Sequence, residues 1–144
     1  MLGSAQKAWM EEELATSEAE FMIWLNPSQW MGISNDSWSR FTHERDELVQ
    51  MFGDLGWLDR MCIISGDRHE LNIDTGGGNE CGGFPVFQFA SLDSRWTDKP
   101  HTGYDTGPGT PGNNRYGTMR IRDEGGVQAI TGTGYATSTH TGSL

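Results

Sequence analysis

The sequence predicts an α/β fold, and three of its features carry that prediction. Two short apolar runs are each closed by turn residues, and the segment between them has apolar side chains at helical spacing. Composition then changes abruptly near Thr75. Short continuous apolar runs are typical of strands buried on both faces, and two such strands joined through a helix lie parallel with a right-handed crossover. We therefore expect a parallel α/β unit followed by a segment of different character.

The first two predicted elements are a helix and a strand. Residues 4–17 place apolar side chains at near-helical spacing behind Ser4, which can cap a helix, and the glutamates of this segment form a solvated face. Residues 21–25 are a continuous apolar run closed by an Asn-Pro pair, which predicts a strand buried on both faces. A loop that contains the Asn-Asp-Ser-Trp sequence of residues 35–38 follows.

The next two predicted elements repeat this order. Residues 42–53 predict a helix because Leu48, Val49 and Phe52 line one side of it, and glycines at its end can terminate it. Residues 61–64 predict a second buried strand. Tryptophans at helix or strand positions are most often core residues. Four are expected in the core: Trp9, Trp24, Trp38 and Trp57.

The second half of the chain is rich in glycine. Residues 75–144 hold fifteen of the twenty glycines, and their net charge is −1 against −9 for residues 1–74. We expect long ordered loops or partial disorder there. Residues 74–80 invite a phosphate-cradle or calcium-loop interpretation, but they lack the Lys-Ser/Thr pair of a P-loop and the alternating acids of a calcium hand. A hairpin connection is therefore favoured.

Charge and hydropathy exclude two classes of partner. Twenty acidic residues against ten basic ones give −10 with neutral histidines, whereas nucleic-acid binders need a positive surface. No apolar run approaches the ~20 residues that cross a bilayer, and the amino terminus shows no signal-peptide pattern. We expect neither nucleic-acid binding nor a membrane span. Cys62 and Cys81 fit neither a disulfide framework nor a paired-cysteine zinc site.

The candidate chemistry lies where the chain leaves the predicted strands. Function in parallel sheets gathers at the carboxyl ends of strands, and residues 26–38 and 65–70 follow such ends. Asp67 and His69, two residues apart, can present a carboxylate and an imidazole to one ion or one water. An ordinary turn with a solvent-facing histidine explains the same pattern. Arg45 could bind phosphate oxygens bidentately, although its acidic neighbours favour an ion pair.

Several short motifs follow one another along the chain. They are Leu2-Gly3-x-x-Gln6-x-x-Trp9, Asp36-x-Trp38, Glu44-Arg45, Ile64-Ser65-Gly66-Asp67-x-His69, the apolar residues 84–91 and the Asn-Arg-Tyr-Gly segment of residues 114–121. Their order resembles that of the carboxyl-terminal part of the alkaline phosphatase D (PhoD-like) family of metallophosphatases. The resemblance covers nearly the whole chain and identifies the last two segments as further strands.

The resemblance implies a layered α/β/β/α sandwich, of which this chain is the carboxyl-terminal portion with a glycine-rich second half. In such enzymes a metal cluster at the sheet edge polarises a phosphate ester and activates a water or hydroxide. Asp67 and His69 match the family's last metal-site motif, and Asp36 matches the aspartate of its Asp-x-Trp element. These three are the implied catalytic and metal-ligating residues, with His69 the foremost ligand. Divalent or trivalent ions, iron and calcium foremost, are the implied cofactors.

The family pattern places further metal-binding motifs upstream: an aspartate-containing strand end, a second Gly-Asp turn and a Gly-Asn-His turn. Residues 1–144 contain none of these, so we expect a single partial domain whose missing half comes from a separate polypeptide or a longer reading frame. Two alternatives stay open. The chain could be a non-catalytic structural or binding module, or a fragment whose exposed apolar faces prevent stable folding. Family members are often exported, which leaves the compartment open.

Overall fold

The structure is a computed structural model that describes residues 1–32, 35–90, 104 and 115–136. Its elements in chain order are α1 (Ser4–Thr16), β1 (Met22–Asn26), α2 (Thr42–Asp54), β2 (Met61–Ser65), β3 (Leu71–Asp74), β4 (Val86–Phe89), β5 (Arg115–Asp123) and β6 (Gln128–Ala136). Short 3₁₀ turns span Trp38–Arg40 and Leu58–Arg60. Both predicted helices and both predicted strands are present with small shifts of their ends. No described helix is long and apolar enough to cross a membrane.

Four strands form one mixed sheet in the order β1-β2-β4-β3. The strands β1, β2 and β4 run parallel, and β3 is antiparallel to β4. The parallel pairing of β1 with β2 is the arrangement that the two apolar runs predicted. The strand β1 lies at one edge of the sheet and β3 at the other.

The core lies between α2 and one face of this sheet. Leu48 and Phe52 of α2 are buried against Ile63 of β2 and Val86 of β4. Trp24 of β1 completes the layer, with its ring edge-on to Phe52 at a centroid distance of 5.6 Å. Burying such side chains stabilises the fold by about 1.5–3 kcal/mol each. Other buried members of this core are Trp30, Trp38, Trp57, Met61 and Phe84.

The strands β5 and β6 form a two-stranded antiparallel ribbon on the opposite face of the sheet. A Cβ atom added at Gly132 would lie 2.3 Å from the ring of Phe87, and one at Gly134 would lie 2.5 Å from the side chain of Leu71. Only glycine allows the ribbon backbone to approach β3 and β4 this closely. The mixed α/β class with two packed sheets is therefore confirmed, and the glycine-rich composition has a packing reason. Ser91 and Asn114, at the ends of the strands implied by the resemblance, lie outside the described residues.

Three details of the prediction are wrong. Ser4 does not cap α1, because Gly3 is the N-cap residue and no side-chain cap bond forms there. The first apolar run is not buried on both faces: Ile23 is 38% exposed and Leu25 is 71% exposed. The reason is that β1 is an edge strand and the ribbon covers β3 and β4 instead. Trp9 is 56% exposed because α1 lies on the surface and has no buried residue.

Candidate functional site

A row of buried polar side chains crosses the sheet at the carboxyl ends of its parallel strands. Asn26 of β1 is in register with Ser65 of β2, and Ser65 is in register with Gln88 of β4. Gln88 is in turn opposite Asn72 of β3. All four side chains are buried. Strands that are covered on both faces normally contain continuous apolar residues. Four buried polar side chains in one row therefore mark the end of the apolar core, and each of them needs hydrogen-bond partners.

Hydrogen bonds tie the turns that follow β1 and β2 to this row. The Ser65 hydroxyl donates to Oε1 of Gln88 at 2.8 Å, and Nε2 of Gln88 donates to the carbonyl oxygen of Gly66. The Gly66 N–H donates to the carbonyl oxygen of Pro27 at 3.4 Å, which links the two turns. The buried Nδ2 of Asn26 has no acceptor within the described part of the chain. Hydrogen bonds among these polar groups thus hold the carboxyl ends of β1, β2 and β4 together, and Nδ2 of Asn26 is a buried donor without an acceptor in the described part.

The turn after β2 is strained at the two residues that the motif singles out. Asp67 has φ +67° and His69 has φ +59°, and among the described residues these are the two non-glycine residues with positive φ. The Arg68 N–H donates to the carbonyl oxygen of Gly66 at 2.8 Å, so Asp67 is the central residue of a γ-turn. Such backbone strain costs about 1–3 kcal/mol per residue and clusters at active sites and ligand clamps.

Alternate residues of this turn anchor it in the protein. Arg68 and Glu70 are buried, and Nε of Arg68 donates to Oε1 of Glu70 at 3.0 Å. The other oxygen of Glu70 accepts from Nδ2 of Asn72 at 3.0 Å. Arg115, buried at the start of β5, interacts electrostatically with the same carboxylate. Burial lowers the pKa of Arg115, and the negative charge of Glu70 partly opposes this shift. These hydrogen bonds and ion pairs fix the backbone of the turn from several sides, so they can maintain its strained conformation.

The predicted site residues lie on two neighbouring segments. Asp67 is exposed and His69 is half-buried, on the turn that follows β2. Asp36 is exposed in the loop before Trp38. The backbone N–H of Trp38 donates to the carbonyl oxygen of Gln29 at 3.0 Å. The described residues contain no group of three or more His, Cys, Asp or Glu side chains that could hold a metal ion. They do not form a complete metal site by themselves, and the three assignments stay predictions.

The buried half of the site was missed from the sequence. Gln88 and Asn72 sit inside short strands, where a polar residue in a buried register was the available signal. Glu70 directly follows the motif, and its burial could not be read from its position. Arg115 gave no signal at all, because the ribbon that brings it to Glu70 is far along the chain.

Two other polar features have structural roles. The buried carboxylate of Asp74 accepts bonds at 2.8–3.2 Å from three backbone N–H groups of the following loop. The donors are Gly76, Gly78 and Asn79. Because the loop uses these N–H groups itself and joins antiparallel β3 and β4, the hairpin interpretation is confirmed. Arg45 lies 3.5 Å from the carboxylate of Asp46, in agreement with the ion-pair interpretation.

The two cysteines do not contribute a reactive group. Both are free thiols. Burial raises the pKa of Cys62 to about 12, and burial also raises the pKa of Cys81. Since the thiolate is the nucleophile, neither is activated at neutral pH.

Comparison with known proteins adds a likeness of fold. No family model matches the chain, and no curated protein matches it either. A solved structure described as "Structure of PhoD" is similar with a TM-score of 0.55 and 16% sequence identity. The match covers 95% of this chain and 34% of that chain, so this chain spans about a third of its length. At this identity the likeness concerns the fold alone, and this chain has a PhoD-like fold.

Proposed function

We propose that this chain is the carboxyl-terminal part of a metal-dependent phosphoric ester hydrolase and needs further residues for activity. The observation that carries the proposal is the strained turn at Asp67 and His69. It sits at the carboxyl end of β2, an inner strand of the parallel sheet, where α/β proteins place their ligands. The order of motifs and the PhoD-like fold support the same conclusion.

In this proposal Asp67 and His69 face the phosphate ester from the accessible side of the turn. A carboxylate and an imidazole in this position can orient a water and accept its proton. Asp36, on the loop after β1, would orient the same water. Iron or calcium ions would neutralise the phosphate oxygens, and the rest of their ligands would come from a separate polypeptide or from residues outside the described part.

A non-catalytic binding module is the second candidate. It is favoured by the lack of a metal-holding group within the described residues and by the exposed apolar side chains of β1. In that case the turn would retain its geometry without chemistry. Activity measurements distinguish the two candidates.

The first measurement uses the chain alone. We expect negligible turnover of chromogenic phosphomonoesters and phosphodiesters with added iron, calcium, manganese or zinc, because one turn cannot hold a metal cluster in a closed site. Robust metal-dependent turnover that Asp67→Asn abolishes would contradict the incomplete-site part of the proposal.

The second measurement completes the enzyme. The chain is joined to the upstream part of a PhoD-like enzyme that ends just before its own Leu-Gly-x-x-Gln segment. Metal-dependent hydrolysis should appear, and His69→Ala should lower it on the order of 10²-fold or more, together with metal content. His43→Ala is the matched control, because His43 is an exposed histidine on α2. A folded, metal-containing chimaera whose rate ignores Asp36, Asp67 and His69 substitutions would favour the binding module.

A further inference from the structure

Gln88 of β4 is a fully buried polar residue whose side chain reaches the turn after β2. The other residues of β4 are Val86, Phe87 and Phe89, as expected for an inner strand of a parallel sheet. A buried amide is unfavourable unless its donor and acceptor groups form hydrogen bonds. The bonds of Gln88 therefore explain why an amide occupies this position.

Both ends of the Gln88 amide form a hydrogen bond. Oε1 accepts from the Ser65 hydroxyl at 2.8 Å, and Nε2 donates to the carbonyl oxygen of Gly66. Because a carbonyl oxygen can only accept, the NH2 end of the amide must face Gly66. The Gly66 carbonyl is therefore held by a donor that belongs to the sheet rather than to the turn.

The conformation of Asp67 depends on this Gly66 carbonyl. The same oxygen accepts from the Arg68 N–H at 2.8 Å, which closes the γ-turn around Asp67. A γ-turn whose central φ is positive, here +67°, is rare and strained. The planar peptide unit that contains the Gly66 carbonyl also contains the Asp67 nitrogen. A side chain that fixes this plane therefore opposes the relaxation of Asp67 to a negative φ.

The far end of the turn is fixed by other groups. The Ala90 N–H donates to the carbonyl oxygen of Glu70 at 3.1 Å, and the Glu70 carboxylate accepts from Nε of Arg68 at 3.0 Å. These contacts act on residues that follow Asp67. Arg68 and Glu70 thus hold the end of the turn, and Gln88 holds its beginning.

From these contacts we infer that Gln88 is a positioning residue of the proposed site: its amide holds the peptide between Gly66 and Asp67, so that Asp67 keeps the left-handed conformation in which it would meet the phosphate ester. The inference rests on the proposed function only for the role of Asp67 in hydrolysis. The conformation of the turn is measured on the chain alone, so either idea can fail while the other holds.

The first test is NMR spectroscopy of the full chain. A positive φ brings the N–H and Hα protons of one residue close together, so Asp67 should give a strong intraresidue NOE. Gln88→Met removes both amide groups and should weaken this NOE to that of ordinary residues. Gln29→Met is the matched control, because Gln29 is also buried and its Nε2 donates to the carbonyl oxygen of Met31 at 2.7 Å. It should leave the Asp67 signal unchanged.

Two further measurements keep the test decisive if Gln88→Met does not fold. Gln88→Asn retains an amide but shortens the side chain by one methylene group, and it should weaken the Asp67 NOE in the same way. In the unchanged chain, a coupling across the hydrogen bond should join Nε2 of Gln88 to the carbonyl carbon of Gly66. Absence of this coupling, or a folded variant with an unchanged Asp67 NOE, overturns the inference.

The completed enzyme distinguishes positioning from a general loss of stability. Per folded molecule, Gln88→Met should lower kcat about tenfold or more with little change in KM, because misplaced groups slow the reaction without weakening substrate binding. Gln29→Met should leave kcat unchanged. If His69→Ala lowers the rate and Gln88→Met does not, the positioning role is wrong. A rate that ignores His69→Ala counts against the proposed function instead, and the NMR result then decides the inference.

Discussion

At the scale of single residues, the left-handed backbone of Asp67 is the feature that most distinguishes the site. A side chain in this region costs about 1–2 kcal/mol, whereas glycine adopts it freely. We predict that Asp67→Gly raises the free energy of unfolding by up to about 1 kcal/mol, after the entropy that glycine adds to the unfolded chain. Urea denaturation provides the measurement. A gain in stability together with lost activity in the completed enzyme would show that the strain is retained for function.

Asp36→Gly is the matched control for this prediction. Asp36 is also exposed, but its φ is not positive, so glycine relieves no backbone strain there and adds its entropic penalty. This variant should lower the free energy of unfolding by at least about 0.5 kcal/mol. If both variants destabilise the chain equally, the backbone of Asp67 is not strained in solution.

At the scale of elements, the ribbon depends on glycine for its docking. A methyl group at position 132 would lie 2.3 Å from the Phe87 ring, so Gly132→Ala must displace the ring or the ribbon. We predict a loss of about 1–3 kcal/mol in the free energy of unfolding, measured by thermal and urea melts. In a Phe87→Leu background the loss should shrink, because the smaller side chain leaves room for the methyl group.

Gly53→Ala provides the control at this scale. Gly53 is exposed in α2, and the nearest atom to an added Cβ is Cδ1 of Leu58 at 3.4 Å. Alanine should stabilise the helix by up to about 1 kcal/mol. A Gly132→Ala variant as stable as the parent chain would mean that the ribbon does not pack on β4 in solution.

At the scale of the whole molecule, net charge limits association through β1. The chain carries −10 at neutral pH and its isoelectric point is about 4.6. We predict a monomer at pH 8 in low salt and reversible self-association near pH 4.6, where the net charge disappears and the exposed side chains of Ile23 and Leu25 remain. Light scattering across this pH range is the measurement. Leu25→Ser should suppress the association without a change of charge, whereas Val127→Ser should not. Association that both variants retain equally would point to a surface other than β1.

Elements whose conformation depends on neighbouring residues in the sequence were predicted, and elements that depend on distant contacts were not. The helix α2 and the strand β2 were predicted well because one buries a continuous side and the other is buried along its length. The strands β3 and β6 were missed. The strand β3 contains the polar residues Asn72 and Asp74, which are not typical of a buried strand. They are buried because Asn72 donates to Glu70 and Asp74 accepts from the following loop. In β6 the glycines at positions 132 and 134 lower the strand propensity, and the packing of the ribbon against Phe87 and Leu71 overrides this effect.

By itself, the sequence determined the α/β class, the parallel pairing of β1 with β2, and the turn on which Asp67 and His69 lie. Periodicity and the length of apolar runs encode these features locally. Tertiary structure alone decided that, among the described residues, β1 lies at the edge of the sheet and Trp9 is exposed. It also decided that the turn is held by buried Arg68 and Glu70. The reason is that burial and backbone strain depend on contacts between segments that are distant in sequence. A short stretch of neighbouring residues does not reveal those contacts.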